Sequence, residues 1–199
     1  MTGILYFDEI DSTNDEAKRR LRAGEDLLGS VIAADRQTAG RGRLGKSFAS
    51  PGGDSIYASF VLKLPESLAE QKITIFAAVA VCYAIEKTTS YRPAIKGVND
   101  ILAEGKKVCG ILAESVPGAV VLGIGVNINL REDDLPDELR EIAGSLNMDK
   151  VTRAHFFEEL IGEVFRCMSA AEKAASAEAA LLMDEYRARS VDVRESTGS

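Results

Sequence analysis

The run ITIFAAVAVCYAI, residues 73–85, is apolar almost all the way round a helical projection, and this decides most of what the chain can become. A helix without a polar face has to be covered on every side, so the segment from about Leu68 to Lys87 is expected to be the central buried helix of a real core. A chain of 199 residues with 46% apolar content can supply one such core, and fits one domain better than two. No apolar run reaches the roughly 18 residues of a membrane span, and the amino terminus lacks the basic and apolar regions of a signal peptide. A soluble, cytoplasmic protein is therefore expected, with no membrane partner. Cys82, Cys109 and Cys167 are odd in number and lack metal-ligand spacing, so they read as buried thiols.

Around that helix the chain alternates short strands and helices. GILYF (3–7) reads as a strand, and residues 11–14 offer several helix N-caps, with Thr13 and Glu16 spaced as a capping box. SVIAA (30–34) reads as a buried strand, followed by a long polar loop from Asp35 to Gly53. Residues 54–64 alternate as a half-buried strand does. Strands are then expected at 92–96, at 101–103 and 106–114 as a hairpin, and at 119–129, where Gly123 and Gly125 share one face. Helices follow from Pro136 to about Ala143, from a cap at Thr152, and from Ser176 to Arg189. His155, the only histidine, falls on an outer face. Hairpins with few βαβ units predict a mixed α+β domain, a mostly antiparallel sheet with helices packed on one face.

The polar loop carries the chemistry. Between Asp35 and Asp54 lie Arg36, Arg41, Arg43 and Lys46 with no acid among them, although the whole chain has a formal charge of −7. That overall charge argues against nucleic acid as a partner, whereas the local cluster suits a small anionic ligand. Gly40 to Ser47 matches GxxxxGK[ST] letter for letter, yet Phe48-Ala49-Ser50-Pro51-Gly52-Gly53 cannot continue a helix as a phosphate-binding Walker loop requires. The match is read as accidental.

Five blocks then point together. Ser-Thr-Asn at 12–14, Gln37 ahead of AGRGRLGKSFASPGG, KxxND at 96–100, KKVCGILAE at 106–114 and GIGVNIN at 123–129 resemble, in order and spacing, the catalytic domain of the biotin protein ligases. The resemblance implies a class II synthetase-like fold and an enzyme that couples biotin to ATP, releases pyrophosphate, and passes the biotinyl group to one lysine of a biotin carboxyl carrier domain. It implies that Lys107 stands at the junction of biotin carboxylate and α-phosphate; Arg41 and Arg43 are suited to offset phosphate charge, and Asp100 is a candidate to orient the incoming amine or accept its proton, which makes these four the catalytic candidates. Ser12, Thr13, Asn14, Gln37, Gly40, Arg41, Lys107, Gly110 and Gly123 would bind biotin. Arg43, Lys46, Phe48, Asn99 and Asn127 would bind ATP, with Mg2+ accompanying it but no direct metal ligand assigned. Residues 40–48 would form a lid over the reactive adenylate, with Phe48 beside adenine.

The sequence departs from the family in places. Lys96-Gly97-Val98-Asn99-Asp100 stands where the pattern commonly reads KWPND, so a large apolar wall and a rigid turn are replaced. Residues 1–190 are expected to be the catalytic domain and 191–199 a flexible tail, without a winged helix before or a small β domain after. A lipoate or octanoate ligase, a weakly catalytic biotin- or adenylate-binding module and a P-loop nucleotidase are the rival readings; a homodimer is left open.

Overall fold

The fold is taken from a computed structural model that describes residues 3–42, 48, 55–63, 68–131, 133, 135, 137–173 and 176–191. The strands are β1 (Gly3–Ile10), β2 (Ser30–Gln37), β3 (Ile56–Leu62), β4 (Ala94–Lys96), β5 (Asp100–Ala103), β6 (Lys106–Val116), β7 (Ala119–Val126) and β8 (Ser190–Val191). The helices are α1 (Thr13–Arg22), α2 (Glu70–Thr88), α3 (Asp137–Arg140), α4 (Lys150–Glu172) and α5 (Ala177–Arg189). All eight strands join one sheet in the order β1-β2-β3-β7-β6-β5-β4-β8. Only the outermost pairs, β1 with β2 and β4 with β8, are parallel.

Residue alternation along the strands sorts the core into two layers. Val31 and Ala33 of β2, Ile56, Ala58 and Phe60 of β3, and Val120, Leu122 and Ile124 of β7 face α2, α4 and α5. The apolar run of the sequence becomes α2, and it is buried all round because the sheet covers one side and α4 and α5 the other. Their neighbours Ile32, Val61 and Val121 point the opposite way and meet Ala17 of α1 in a smaller cluster. Every residue of β3 is therefore buried, where alternation suggested a strand wet on one face. The sequence pattern is half apolar, half small, and α1 supplies the missing cover.

Several boundaries move for local reasons. β2 continues through Gln37, because Glu9 and Ile10 of β1 keep pairing with Arg36 and Gln37, so the polar loop starts later than expected. Ser12, not Thr13, caps α1: its hydroxyl accepts from the Asp15 N–H and its carbonyl from the Glu16 N–H. Glu16 then pairs with Arg19 and Arg20, and no Thr13–Glu16 capping box forms. Asp149 accepts from the Thr152 N–H at 2.7 Å, so α4 begins before the expected cap at Thr152. α3 is four residues long, shorter than the expected helix, because residues 142–144 leave it to pair with the backbone of Lys107. β7 stops at Val126, and β4 begins at Ala94. Val191, expected in the tail, ends β8; Pro136 and residues 192–199 lie outside the described residues.

The three cysteines are buried, as the sequence suggests, and burial pushes the thiols of Cys82 and Cys167 up to about 12 and Cys109 upward as well. A free thiol in an unfolded chain titrates near about 8.5. Any stabilisation from holding these thiols neutral is complete below that value and is lost as pH rises through the folded-state values. Alkylation by iodoacetamide at mildly alkaline pH should therefore be slow in the native protein and fast in denaturant; rapid native labelling at all three sites would contradict this burial.

Candidate functional site

The face of the sheet that carries α1 also carries the site. Register places Tyr57, Gly125, Gly110 and Asp100 side by side across β3, β7, β6 and β5. The next row toward α1 is Ser59, Gly123 and Leu112. Three of these positions lack a side chain, so the sheet is bare there and leaves a cavity of about 490 Å³. The glycines are needed for space. A Cβ at Gly123 would stand 2.5 Å from Asn14 Oδ1, one at Gly125 2.6 Å from Phe48 Cε1, and one at Gly110 2.7 Å from Phe48 Cε2.

One end of the cavity is a buried polar row. The Thr13 N–H and hydroxyl reach Gln37 Oε1 at 2.8 and 3.1 Å, while Ser59 Oγ lies 2.8 Å from Thr13 Oγ1 and 2.5 Å from Asn14 Oδ1. Gln37 Oε1 and Asn14 Oδ1 can only accept, and two hydroxyl protons cannot serve three hydroxyl contacts at once. Gln37 Oε1 already accepts from the Thr13 N–H, so the hydroxyl protons can run from Thr13 to Ser59 and from Ser59 to Asn14, and Asn14 Oδ1 keeps a second lone pair that a ligand N–H could use. Ser12, Thr13 and Asn14 are almost fully covered, so the row is rigid.

At the other end stand Lys107 and Asp100. Their Nζ and Oδ1 are 2.8 Å apart, both side chains are half-exposed, and the Asn99 amide donates to the same Asp100 oxygen at 2.8 Å. The Lys107 chain lies beside Gly110, and its ammonium is 5.8 Å from the centre of the Phe48 ring. Phe48 covers Gly110 and Gly125, meets Tyr57 edge-on at 6.4 Å, and is anchored by its N–H to the Gly40 carbonyl. A compact cation beside a carboxylate and a π face can hold an anion against an aromatic ring system.

Arg41 stands at the margin of the cavity and bonds Asp15 at 2.8 Å. Burial raises the Asp15 carboxyl, but the hydrogen bonds and charges of Lys18 and Arg41 outweigh it and hold the group below its usual value. Asn127 is not brought to the cavity: its amide donates to the Gly144 carbonyl at 3.1 Å, tying β7 to the segment after α3. Gly40 is buried behind Phe48. Arg43, Lys46 and most of the stretch from Gly40 to Gly53 lie outside the described residues. His155 is exposed and is not among the residues that line the cavity.

Sequence reasoning passed over Tyr57, Ser59, Leu112, Leu139 and Ile142. Ser59 had a signal, a hydroxyl in an otherwise apolar strand. Ile142 had none: it reaches the cavity because its carbonyl accepts from the Lys107 N–H at 2.7 Å.

A family model described as Biotin/lipoate A/B protein ligase family matches residues 6–130. The Bifunctional ligase/repressor BirA of Bacillus subtilis is 36% identical over 167 residues, covering 79% of this chain and 51% of the relative. The Biotin--[acetyl-CoA-carboxylase] ligase of Mycobacterium tuberculosis is 34% identical over 143 residues, covering 69% and 52%. Among solved structures, the biotin protein ligase from Aquifex aeolicus in complex with biotin and ATP superposes with a TM-score of 0.75 at 28% identity, covering 87% of this chain and 73% of that one. The chain spans about half the length of these curated relatives.

Proposed function

Because the chain belongs to the biotin/lipoate A/B protein ligase family, we propose that it activates biotin with ATP, releasing pyrophosphate, and transfers the biotinyl group to a lysine of a carboxylase carrier domain. One observation carries the reading: a glycine-floored slot runs from a buried polar row that ends in the Asn14 oxygen to Lys107. A cyclic urea offers an N–H to the Asn14 oxygen at the first end, an apolar bicycle and chain lie on the bare strands, and a carboxylate arrives beside the ammonium. The overall sheet and helix arrangement is that of the solved biotin protein ligases.

In this reading the carboxylate oxygen attacks the α-phosphate, and the P–O bond to pyrophosphate breaks. Two anions meet, so the chain has to offset their repulsion. Lys107 lies where carboxylate and α-phosphate come together, and its ammonium exchanges Asp100 for the reacting oxygens. Arg41, Arg43 and Lys46 neutralise phosphate charge, while Phe48 and Asn99 flank the nucleotide; Asn127, just past β7, has its amide 3.5 Å from the Lys107 carbonyl of β6 and so ties the two strands together there. Asp100, released from Lys107, then faces the amine of the carrier lysine, which attacks the mixed anhydride carbonyl as AMP leaves. Among the described residues no group of three or more His, Cys, Asp or Glu could hold a metal ion. Magnesium would come with the nucleotide, held mainly by phosphate and water oxygens, the ligands it prefers. Residues 1–190 act as the catalytic unit, in the cytoplasm.

The test is pyrophosphate release with biotin, ATP and magnesium, followed by transfer to a purified carrier domain. Release that depends on biotin, and labelling of one carrier lysine, are expected. ATP turnover without biotin, or biotin binding with no pyrophosphate, would reject the ligase reading in favour of a nucleotidase or a binding module.

A further inference from the structure

The polar row owes its pattern of donors and acceptors to a residue outside it. Glu114 of β6 lies on the same face as Leu112, one row beyond Ser59 and Gly123. Its Oε2 accepts from the Asn14 amide at 2.8 Å. Its Oε1 accepts from Lys18 at 2.8 Å, with Arg41 at 3.7 Å. Lys18 is 7% exposed and also pairs with Asp15 at 2.8 Å, so the far side of Glu114 is fixed by buried and half-buried charge.

A carboxylate can only accept. Asn14 must therefore turn its NH2 toward Glu114, which sends its oxygen toward Ser59 and over Gly123. Were the amide reversed, two oxygens would face each other in a partly buried setting, a repulsive contact in place of a hydrogen bond.

We propose that Glu114 is a positioning and specificity-determining residue, which locks the Asn14 amide with its oxygen toward the cavity and so selects ligands with an N–H at that end. The inference rests on the ligase reading, with the cyclic urea of biotin as the N–H donor. Glu114 does not touch the ligand; it acts through Asn14.

Glu114→Gln tests this with little change of shape. Lys18 and Arg41 claim the new side chain's oxygen, which leaves its NH2 facing Asn14. The Asn14 amide then reverses and presents NH2 to Ser59 and the cavity. The row then offers a donor where it had offered an acceptor, and a ligand N–H finds no partner there. Biotin affinity, measured by calorimetry, should fall roughly tenfold or more. KM for biotin should rise with kcat and KM for ATP little changed.

The decisive comparison is the same substitution in an Asn14→Ala background. There Glu114→Gln should cost almost nothing, because the group through which it acts is gone. Equal losses in both backgrounds, or unchanged biotin affinity in the single variant, would overturn the proposal. Glu114→Ala serves as a second variant: it frees Asn14 without reversing it, and should weaken biotin less than Glu114→Gln does. If Glu114→Gln fails to fold, Glu114→Ala measured in both backgrounds decides by the same criterion. Should the wild-type protein bind no biotin, the ligase reading fails; wild-type binding with an unaffected Glu114→Gln defeats this inference alone.

Discussion

Lys107→Ala is expected to slow biotin-dependent pyrophosphate release about a hundred- to a thousandfold, the range seen when one preorganised group facing developing charge is removed. Two effects combine. The variant loses the cation that spans biotin carboxylate and α-phosphate, and it leaves Asp100 as an uncompensated carboxylate in the path of incoming anions. Biotin affinity should change far less, since the polar row and glycine floor do not involve the ammonium. Single-turnover kinetics with calorimetry separates these quantities. The double variant Lys107→Ala with Asp100→Asn should recover part of the rate by removing the stranded charge. Lys107→Arg should rescue poorly, because a planar guanidinium cannot occupy the place of a compact ammonium beside the Phe48 ring. A rate in Lys107→Ala within about threefold of wild type would leave no room for an electrostatic role of the usual size.

The elements that position Lys107 were legible in the chain because each had a local cause. The hairpin of β5 and β6 follows from alternation around Glu104-Gly105, where Glu104 has φ 51° and Gly105 φ 78°, a turn the sequence marks with its glycine. α2 follows from a run that admits no wet face. What the chain could not announce were pairings set by partners distant in sequence. β2 reaches Gln37 because β1 continues beside it, and this delivers the Gln37 side-chain oxygen Oε1 to Thr13 across the start of α1.

Nor could spacing tell that Thr13 is the first residue of α1 and free of capping duty. Ser12 performs the capping, so the Thr13 hydroxyl turns to Gln37 and Ser59. The replaced Trp-Pro link shows the same limit. Gly97 takes φ 63° and its carbonyl accepts from the Tyr186 hydroxyl at 2.7 Å, while the Asn99 carbonyl accepts from the Ile111 N–H. The corner that carries Asn99 and Asp100 is thus tied to α5 and β6 by bonds that no local pattern displays.

Gly123→Ala should cause the second large effect, and its size follows from what the new methyl meets. Gly123 does not have the positive φ that makes alanine strained, so the backbone tolerates the change. The obstacle is Asn14, whose Oδ1 and Cγ would lie 2.5 and 3.0 Å from the added Cβ. This side chain cannot swing away as a surface group would. It is 4% exposed, donates to Glu114 and accepts from Ser59. Displacing it breaks both bonds in a buried site, and overpacking of this kind costs about 1–3 kcal/mol. Biotin affinity should fall roughly ten- to a hundredfold as the acceptor leaves the polar row. Thermal stability should fall with it, by several degrees on a chain of this size. Gly125→Ala is the instructive contrast: its Cβ meets the rim of the Phe48 ring, which can tilt toward the cavity, so the loss of stability should be smaller. In an Asn14→Ala background the Gly123→Ala methyl has room, and the further loss of both affinity and stability should largely disappear. If Gly123→Ala cost the same with and without Asn14, the glycine would be required by something other than this amide, and the polar row would not be the surface that Gly123 exists to clear.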